Sequence, residues 1–521
     1  MSLVRNTATI GGLTLISRIA GFVRDMLMAQ FVGAGFANDA FLIAWRLPNL
    51  FRALFAEGAF ASAFVPMFNR EVGREDGGLP AALDFAEQVL AILFPILLVF
   101  TILMMAATAP IVWAMTGGFP DGGPDKFALA VSLTRITFPY LALISLVSLL
   151  GGILNSVDRF WVNAAAPILL NICMIVGLVF FRGATPLETA YTQAISVTVS
   201  GVAQLAWLMW ACARAGTSLR LRRPRINPKV RQLLHIIWPA ALGAGAVQFN
   251  LLISTSLAAR FLPQGAVSYL YYADRLNQLP LGLIGIGVGT AMLPGLSRQI
   301  AGGDAGGANT TQNRAIELSL VLTLPATAAL MVAAFPIIQA LLQHGAFTAG
   351  DTLASANALA AFSLGLPAYI LIKVLVPGFH ARTDTRTPVR IALVAMLANL
   401  IGNLILIWPL QHVGLALSTA ISAWVNAGLL YATLHRRGHF RIDERLKRAL
   451  IRLTLATVAM AAMLVAVSDW TTPHMTGPLV ERALWLGGLM AAAGIVYFGA
   501  AIALGAFRPA ELRAQLLRRR K

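Results

Sequence analysis

The sequence predicts an all-α polytopic membrane protein with 14 transmembrane helices: two six-helix lobes followed by two C-terminal helices. Three observations carry that prediction. Of 521 residues, 58% are hydrophobic and only 12% charged, with a mean hydropathy of +0.74, which is too apolar for a soluble globular chain. Apolar runs long enough to cross about 30 Å of hydrocarbon recur along the whole length. Lys and Arg gather in alternate connections between those runs, as the sidedness of membrane insertion requires.

In chain order the predicted spans cover 8–32, 37–67, 82–110, 127–154, 161–181, 188–213, 234–260, 267–297, 314–343, 353–379, 388–408, 413–435, 449–468 and 481–506. The first, second and eighth are weak by hydropathy because charges and glycines interrupt them. Arg5 precedes the first run, but Arg18, Arg24 and Asp25 break it and no small-residue cleavage site follows, so it reads as a retained helix. Cations follow spans two (Arg70, Arg74), four (Arg159), six (Arg214 to Arg231), eight (Arg298, Arg314), ten (Arg382, Arg386, Arg390) and twelve (Arg436 to Arg448). The connections at 33–36, 261–266, 344–352 and 409–412 contain none. A miscounted helix would invert this alternation midway. Both termini, including the basic tail from Arg508 to Lys521, therefore read as cytoplasmic.

A weak internal repeat divides the chain. Trp45-Arg46-Leu47-Pro48 and Phe64-Val65-Pro66 are echoed by Asp274-Arg275-Leu276 and Met292-Leu293-Pro294; Gly152-Ile153 and Asp158 are echoed by Gly378-Phe379 and Asp384. The expected organisation is a first lobe over 1–214, a basic linker over 215–233, a second lobe over 234–437, and helices 13 and 14 with a basic tail over 438–521. Parallel repeats of this kind occur in transporters that bind substrate between lobes near the midplane.

The net charge of +18 lies in short clusters beside apolar runs, which suits topology and anionic lipid headgroups and gives no case for nucleic acid. Cys173 and Cys212 have neither metal-ligand nor disulfide spacing and read as packing residues. No Walker loop, metalloprotease helix or nucleophile elbow is present. The loops are too short for a catalytic domain, so the chain reads as a transporter and not an enzyme.

The informative residues are the charges inside the first two spans. An ionised side chain at a helix centre costs about 2.5–3.5 kcal/mol even on the lenient insertion scale, so a group of arginines there is expected to line an aqueous cavity. On a helical projection Arg18, Gly21 or Phe22, and Asp25 share one face, and Ser17, Gly21 and Arg24 the next. Gly11, Gly12 and Gly21 in the first span and Pro48 in the second predict bends in both. Arg suits an anionic substrate because its planar fork binds phosphate oxygens bidentately. Arg18, Arg24, Arg52 and Arg275 are the candidate ligands. Asp25, Asp39, Glu57, Asp274, Asn49 and Lys373 are candidate gating or supporting groups, together with Ser17. Arg46, Arg135 and Arg260 read equally well as structural pairs or snorkelling side chains. Asn399, Asn403 and Thr419 read as interhelical hydrogen bonding, and the scattered histidines suggest no metal site.

Several blocks in order resemble the MurJ-type lipid II flippases of the multidrug/oligosaccharidyl-lipid/polysaccharide exporter superfamily. They are Ser17 to Asp25, Asp39-Ala40-Phe41, Leu47 to Arg52, Phe55 to Phe60, Tyr271 to Leu276, and Lys373 to Phe379 with Thr387-Pro388-Val389. The resemblance runs through roughly the first 440 residues. It implies that Arg18, Arg24, Arg52 and Arg275 meet the pyrophosphate of the substrate in a central cavity, with Asp25, Asp39 and Glu57 assisting, and that spans 13 and 14 form a groove for the polyprenyl tail. It further implies flipping of lipid II across the bacterial inner membrane for cell-wall biogenesis, with membrane lipids and the cell-wall synthesis machinery as candidate partners. No cofactor is implied; membrane potential or a coupling cation is the candidate energy source. One departure is Gln278, where some relatives carry a carboxylate. A sodium site of some members maps near Thr255, Asn399, Asn403 and Thr419, all neutral here. The alternatives within this fold are a flippase for another polyprenyl-pyrophosphate-linked glycan and a cation-coupled drug exporter.

Overall fold

The computed structural model describes residues 3–52, 60–74 and 77–506, and among them there are helices and connectors but no strand. The first half comprises α1 (Leu3–Val32), α2 (Phe36–Phe51), α3 (Phe60–Val72), α4 (Gly78–Ala106), α5 (Thr108–Thr116), α6 (Gly123–Thr137), α7 (Pro139–Ser156), α8 (Phe160–Phe180) and α9 (Pro186–Arg214). The second comprises α10 (Pro228–Phe261), α11 (Ala266–Ala301), α12 (Ala305–Val332), α13 (Ala334–Leu342), α14 (Ala349–Ser363), α15 (Leu366–His380) and α16 (Arg386–Arg436). α17 (Glu444–Thr471), a 3-10 turn (Thr472–Thr476) and α18 (Leu479–Ala503) complete the chain. Nine helical stretches among the described residues are long and apolar enough to cross a membrane. The chain is a multi-pass membrane protein.

Five of the described helices start where a side chain accepts a free N–H group of the first turn, a donor that has no partner within the helix. Thr185 accepts from Glu188 before Pro186, and Asn227 accepts from Val230 before Pro228. Asp304 and Asp443 cap α12 and α17 in the same way. Thr348 and Asp351 form a reciprocal capping box at α14. Each such cap is worth about 1 kcal/mol. Outward faces stay apolar: Val99 and Leu103 on α4, Val458 and Val465 on α17, and Ile495 on α18 are exposed, as lipid-facing residues must be.

The repeat is far clearer in the helices than in the residues. α5 and α13 start at Thr108 and Ala334, α6 and α14 at Gly123 and Ala349, and α8 and α16 at Phe160 and Arg386, each pair about 226 residues apart. Pro139 and Pro367 break the helix at matching places. α16 covers the positions of both α8 and α9, with the turn between them reduced to Gln411, which is non-helical at φ 51° and ψ −130°. α10 stands in the repeat where α1 stands in the first half.

Contacts divide the chain into two compact units, Met1–Ser268 with Gly345–Phe347, and Tyr269–His344 with Thr348–Lys521. In the first, α1 packs on α8, α8 on α9, α2 on α6, and α10 against α2, α3, α4 and α5. An aromatic cluster of Phe60, Phe64, Phe68 and Phe85 joins α3 to α4. In the second, α15 packs on α16, and the C-terminal pair α17 and α18 packs on α12. The buried Tyr497 hydroxyl of α18 donates to the Val321 carbonyl at 2.7 Å. The arginine-rich end of this unit is stapled by Arg314 with Asp443 (2.5 Å) and Arg437 with Asp384 (2.7 Å). Hydrogen bonds from Thr387 and the Arg437 guanidinium hold the Asp384 carboxyl well below the usual carboxylate range.

At the far end of the second unit Arg482, 8% exposed, donates to the Ala340 carbonyl and to His344 Nδ1 at 3.1 Å. Burial, and then the neighbouring Arg482 charge, push the His344 imidazole below its ordinary 6.5. Because the folded chain disfavours the protonated ring, the unfolded chain takes up that proton first as pH falls. The stability it contributes is full above about 6.5 and is lost below it. Thermal unfolding in detergent between pH 7.5 and 5 is therefore expected to show a steeper loss for the native chain than for His344→Gln; parallel curves would exclude this role for His344.

Candidate functional site

The structure places the predicted residues in three settings. Arg18 is exposed on α1 and Ser17 is half-buried beside it. The expected bend of α1 is not accompanied by any break: it runs helical from Leu3 to Val32. Pro48 lies in the last turns of α2, which ends at Phe51. Glu57 lies outside the described residues.

Arg24 and Asp25 are buried where α1 meets α8. The Arg24 fork grips Asp25 Oδ1 through Nη2 (2.6 Å) and Nε (3.0 Å), and its Nη1 donates to Asn171 Oδ1 at 3.1 Å. Asn171 in turn donates to the Ser17 carbonyl at 3.0 Å. Gly21 lies between them, and a Cβ there would sit 3.5 Å from the Asn171 amide. The Ser17, Gly21 and Arg24 face is thus the face that packs on α8. One amide satisfies both an arginine and a backbone carbonyl, which in a low dielectric is worth more than the bonds taken singly.

Asp39, 1% exposed in α2, is a densely bonded carboxylate. It accepts from the Gly265 and Ser268 N–H groups (2.8 and 3.0 Å) and from the Ser268 hydroxyl (2.6 Å), at the start of α11. A carboxylate at a helix N-terminus gains from the free N–H groups and the local dipole. Lys126 of α6, also 1% exposed, neutralises it at 3.1 Å and pairs with Asp121 at 2.6 Å. Its ammonium also lies 4.8 Å from the centre of the Phe119 ring.

At the end of α2 the half-buried Arg52 donates through Nε to Asn49 Oδ1 at 3.1 Å. Arg275 of α11, half-buried, donates to the Tyr271 hydroxyl at 3.2 Å, with its guanidinium carbon 5.2 Å from that ring. Asp274 accepts from Gln278 at 2.6 Å, so the residue that departs from the family pattern supports its neighbouring carboxylate. Lys373 is half-buried in α15. Arg46 donates to the Leu251 carbonyl and the Thr255 hydroxyl, a packing role. Asn399 donates to Thr419 and Ser418, and Asn403 to Asn399, within the two halves of α16.

Against known proteins, the family model for the lipid II flippase MurJ matches residues 28–484. The chain belongs to this family. A probable lipid II flippase of Rhizobium meliloti (strain 1021) is 43% identical over 99% of the chain and 97% of its own length. Among solved structures, a lipid II flippase in an inward closed conformation superposes with a TM-score of 0.76 at 25% identity, over 94% of this chain and 97% of that one. An inward-facing multidrug transporter of the MOP superfamily follows at 0.67 and 14% identity, over 83% and 98%, a likeness of fold alone. The family is one of transporters, not catalysts.

Sequence reasoning missed Lys126, Asn171, Ser268 and Tyr271, which complete the networks around predicted residues. Asn171 had one available signal, an amide in the apolar middle of a span. Removing one member of a buried ion pair strands the other, at a cost of about 3–5 kcal/mol. Lys126→Met is expected to destabilise the solubilised protein on that scale, and adding Asp121→Asn is expected to recover part of the loss. Equal stability of Lys126→Met and the native chain in denaturant titration would refute this.

Proposed function

We propose that the chain flips lipid II, the undecaprenyl-pyrophosphate-linked peptidoglycan precursor, from the cytoplasmic to the periplasmic leaflet of the inner membrane. The observation that carries this reading is near full-length kinship, at 43% identity, with a protein named as a probable lipid II flippase. The finer topology belongs to the proposal: fourteen spans, with α16 counting as two, and both termini on the arginine-rich cytoplasmic side. Residues 1–214, 234–437 and 438–521 act as the two lobes and the added pair.

Arg18, Arg24, Arg52 and Arg275 are the proposed pyrophosphate ligands. Asp25, Asn49, Asp274 and Lys373 orient or neutralise them, and Asp39 and Glu57 act in gating. A phosphate bound by Arg24 takes the place of Asp25 on the same guanidinium fork, so binding is an exchange of anions with little net desolvation. Transport proceeds by alternating access, with the polyprenyl tail remaining in the bilayer beside α17 and α18. An inside-negative potential favours outward movement of an anion by about 2.3 kcal/mol per charge per 100 mV, which makes the potential, with or without a coupling cation, the proposed energy source. A drug exporter of this fold would need acid to exceed arginine around its site, and the opposite holds in the first two spans.

Arg18 provides the cleanest test because it is exposed and far less involved in packing than Arg24. Loss of one charge-assisted contact, at about 1.5–3 kcal/mol, is roughly a tenfold to hundredfold effect. In cells depleted of other lipid II flippases, Arg18→Ala is expected to cut outer-leaflet lipid II by at least about tenfold at unchanged expression and thermal stability. Arg24→Ala is expected to lose both transport and stability. Normal outer-leaflet lipid II in cells lacking the protein altogether would sink the proposed function.

A further inference from the structure

The first unit contains a cavity of about 1240 Å³ that none of the candidate site residues lines. Its walls are apolar: Phe60 of α3, Leu93, Leu97 and Phe100 of α4, and Leu141 of α7. Ile96, on the outer face of α4 and 52% exposed, stands at its lateral edge. The charged and amide groups of the lining lie at one end, where Asn227, Arg231, Gln232 and His235 stand at the start of α10, while the Ser145 hydroxyl of α7 donates to the Leu141 carbonyl of its own helix at 2.8 Å. The volume exceeds the range of about 300–1000 Å³ typical of small-molecule pockets.

We infer that this cavity holds an anionic phospholipid of the cytoplasmic leaflet, with its phosphate on Arg231, Gln232 and His235 and acyl chain along α4. Depth supports this occupant. Asn227 hydrogen-bonds Gln88, which sets the start of α10 level with that point of α4. Phe100 lies twelve residues further along α4, about 18 Å at 1.5 Å per residue, close to the roughly 15 Å of one hydrocarbon leaflet.

Charge supports it as well. From Arg214 to Arg231 the chain carries seven cations and no carboxylate. Two of these are consumed within the protein, Arg222 by Asp84 and Glu87, and Lys229 by Glu71. Arg231 is exposed at the cavity mouth, on the basic side that the arginine distribution assigns to the cytoplasm. Basic pockets between helices on that side are suited to anionic headgroups. Arginine with amide and imidazole donors makes the charge-assisted contacts that a phosphodiester accepts, and a choline headgroup would cancel that charge. The site is independent of which lipid-linked substrate is transported.

The test uses the full chain, delipidated in detergent, with dioleoylphosphatidylglycerol as probe, retention read by native mass spectrometry and stabilisation by thermal shift. One phosphatidylglycerol per chain is expected to persist, bound at least about tenfold tighter than dioleoylphosphatidylcholine. Arg231→Ala is expected to erase that preference, while Arg225→Ala, in the same basic linker but outside the cavity, leaves it. Ile96→Trp, which fills the cavity edge without touching charge, is expected to weaken both lipids. Equal losses in Arg231→Ala and Arg225→Ala would mean diffuse attraction to a basic surface, and overturn the site. Displacement of phosphatidylglycerol by equimolar undecaprenyl phosphate would assign the cavity to a polyprenyl chain, and overturn the phospholipid.

Discussion

The fold depends on one constraint: an ionised group removed from water must meet its counter-charge within the same packed helices. Arg24 with Asp25 and Asn171, and Asp39 with Lys126 and Asp121, both satisfy it in the first unit. Each network also fixes a helix contact. The first ties α1 to α8, and the second ties α2 to α6 and to the opening turn of α11. Charges that hydropathy marks as defects are therefore the pins that choose which helix lies against which, in a medium where apolar surface alone cannot choose.

The same reasoning explains the distribution of connectors. A helix start leaves free N–H groups, and at the starts of α9, α10, α12, α14 and α17 the chain places Thr, Asn or Asp, twice with Pro next. Where the repeat loses a connector, between the halves of α16, Gln411 takes a left-handed φ to turn the backbone in a single residue. The two halves of the sequence have diverged until only a few residues agree. Their helix starts have not, because a shifted start would move a whole helix relative to its water interface.

The all-helical class and the recurrence of long apolar helices were legible in the sequence because they depend on long averages of hydropathy. Pro48, read as a bend within a span over 37–67, lies in the last turns of α2, which ends at Phe51. The partners of the charged residues were not legible. Asn171 lies 147 residues from Arg24, and Ser268 lies 229 from Asp39; no periodicity links such positions. Helical projection correctly placed Ser17, Gly21 and Arg24 on one face, but it could not say whether that face meets water or another helix. Asn171 of α8 answers this, since its amide lies over Gly21 and binds both Ser17 and Arg24.

That answer separates two kinds of arginine within one helix. Arg24 has its fork filled by a carboxylate and an amide, whereas Arg18, less than two turns earlier, is exposed. Under the proposed function the exposed arginine supplies attraction, and the filled one supplies exchange. In that proposal an anion that reaches Arg24 displaces Asp25 and leaves the carboxylate close by, ready to return when the anion departs. Such an exchange binds less tightly than an arginine without a counter-ion would. For a flippase that is the useful regime, because a pyrophosphate held with full strength on one side of the membrane would not be released on the other.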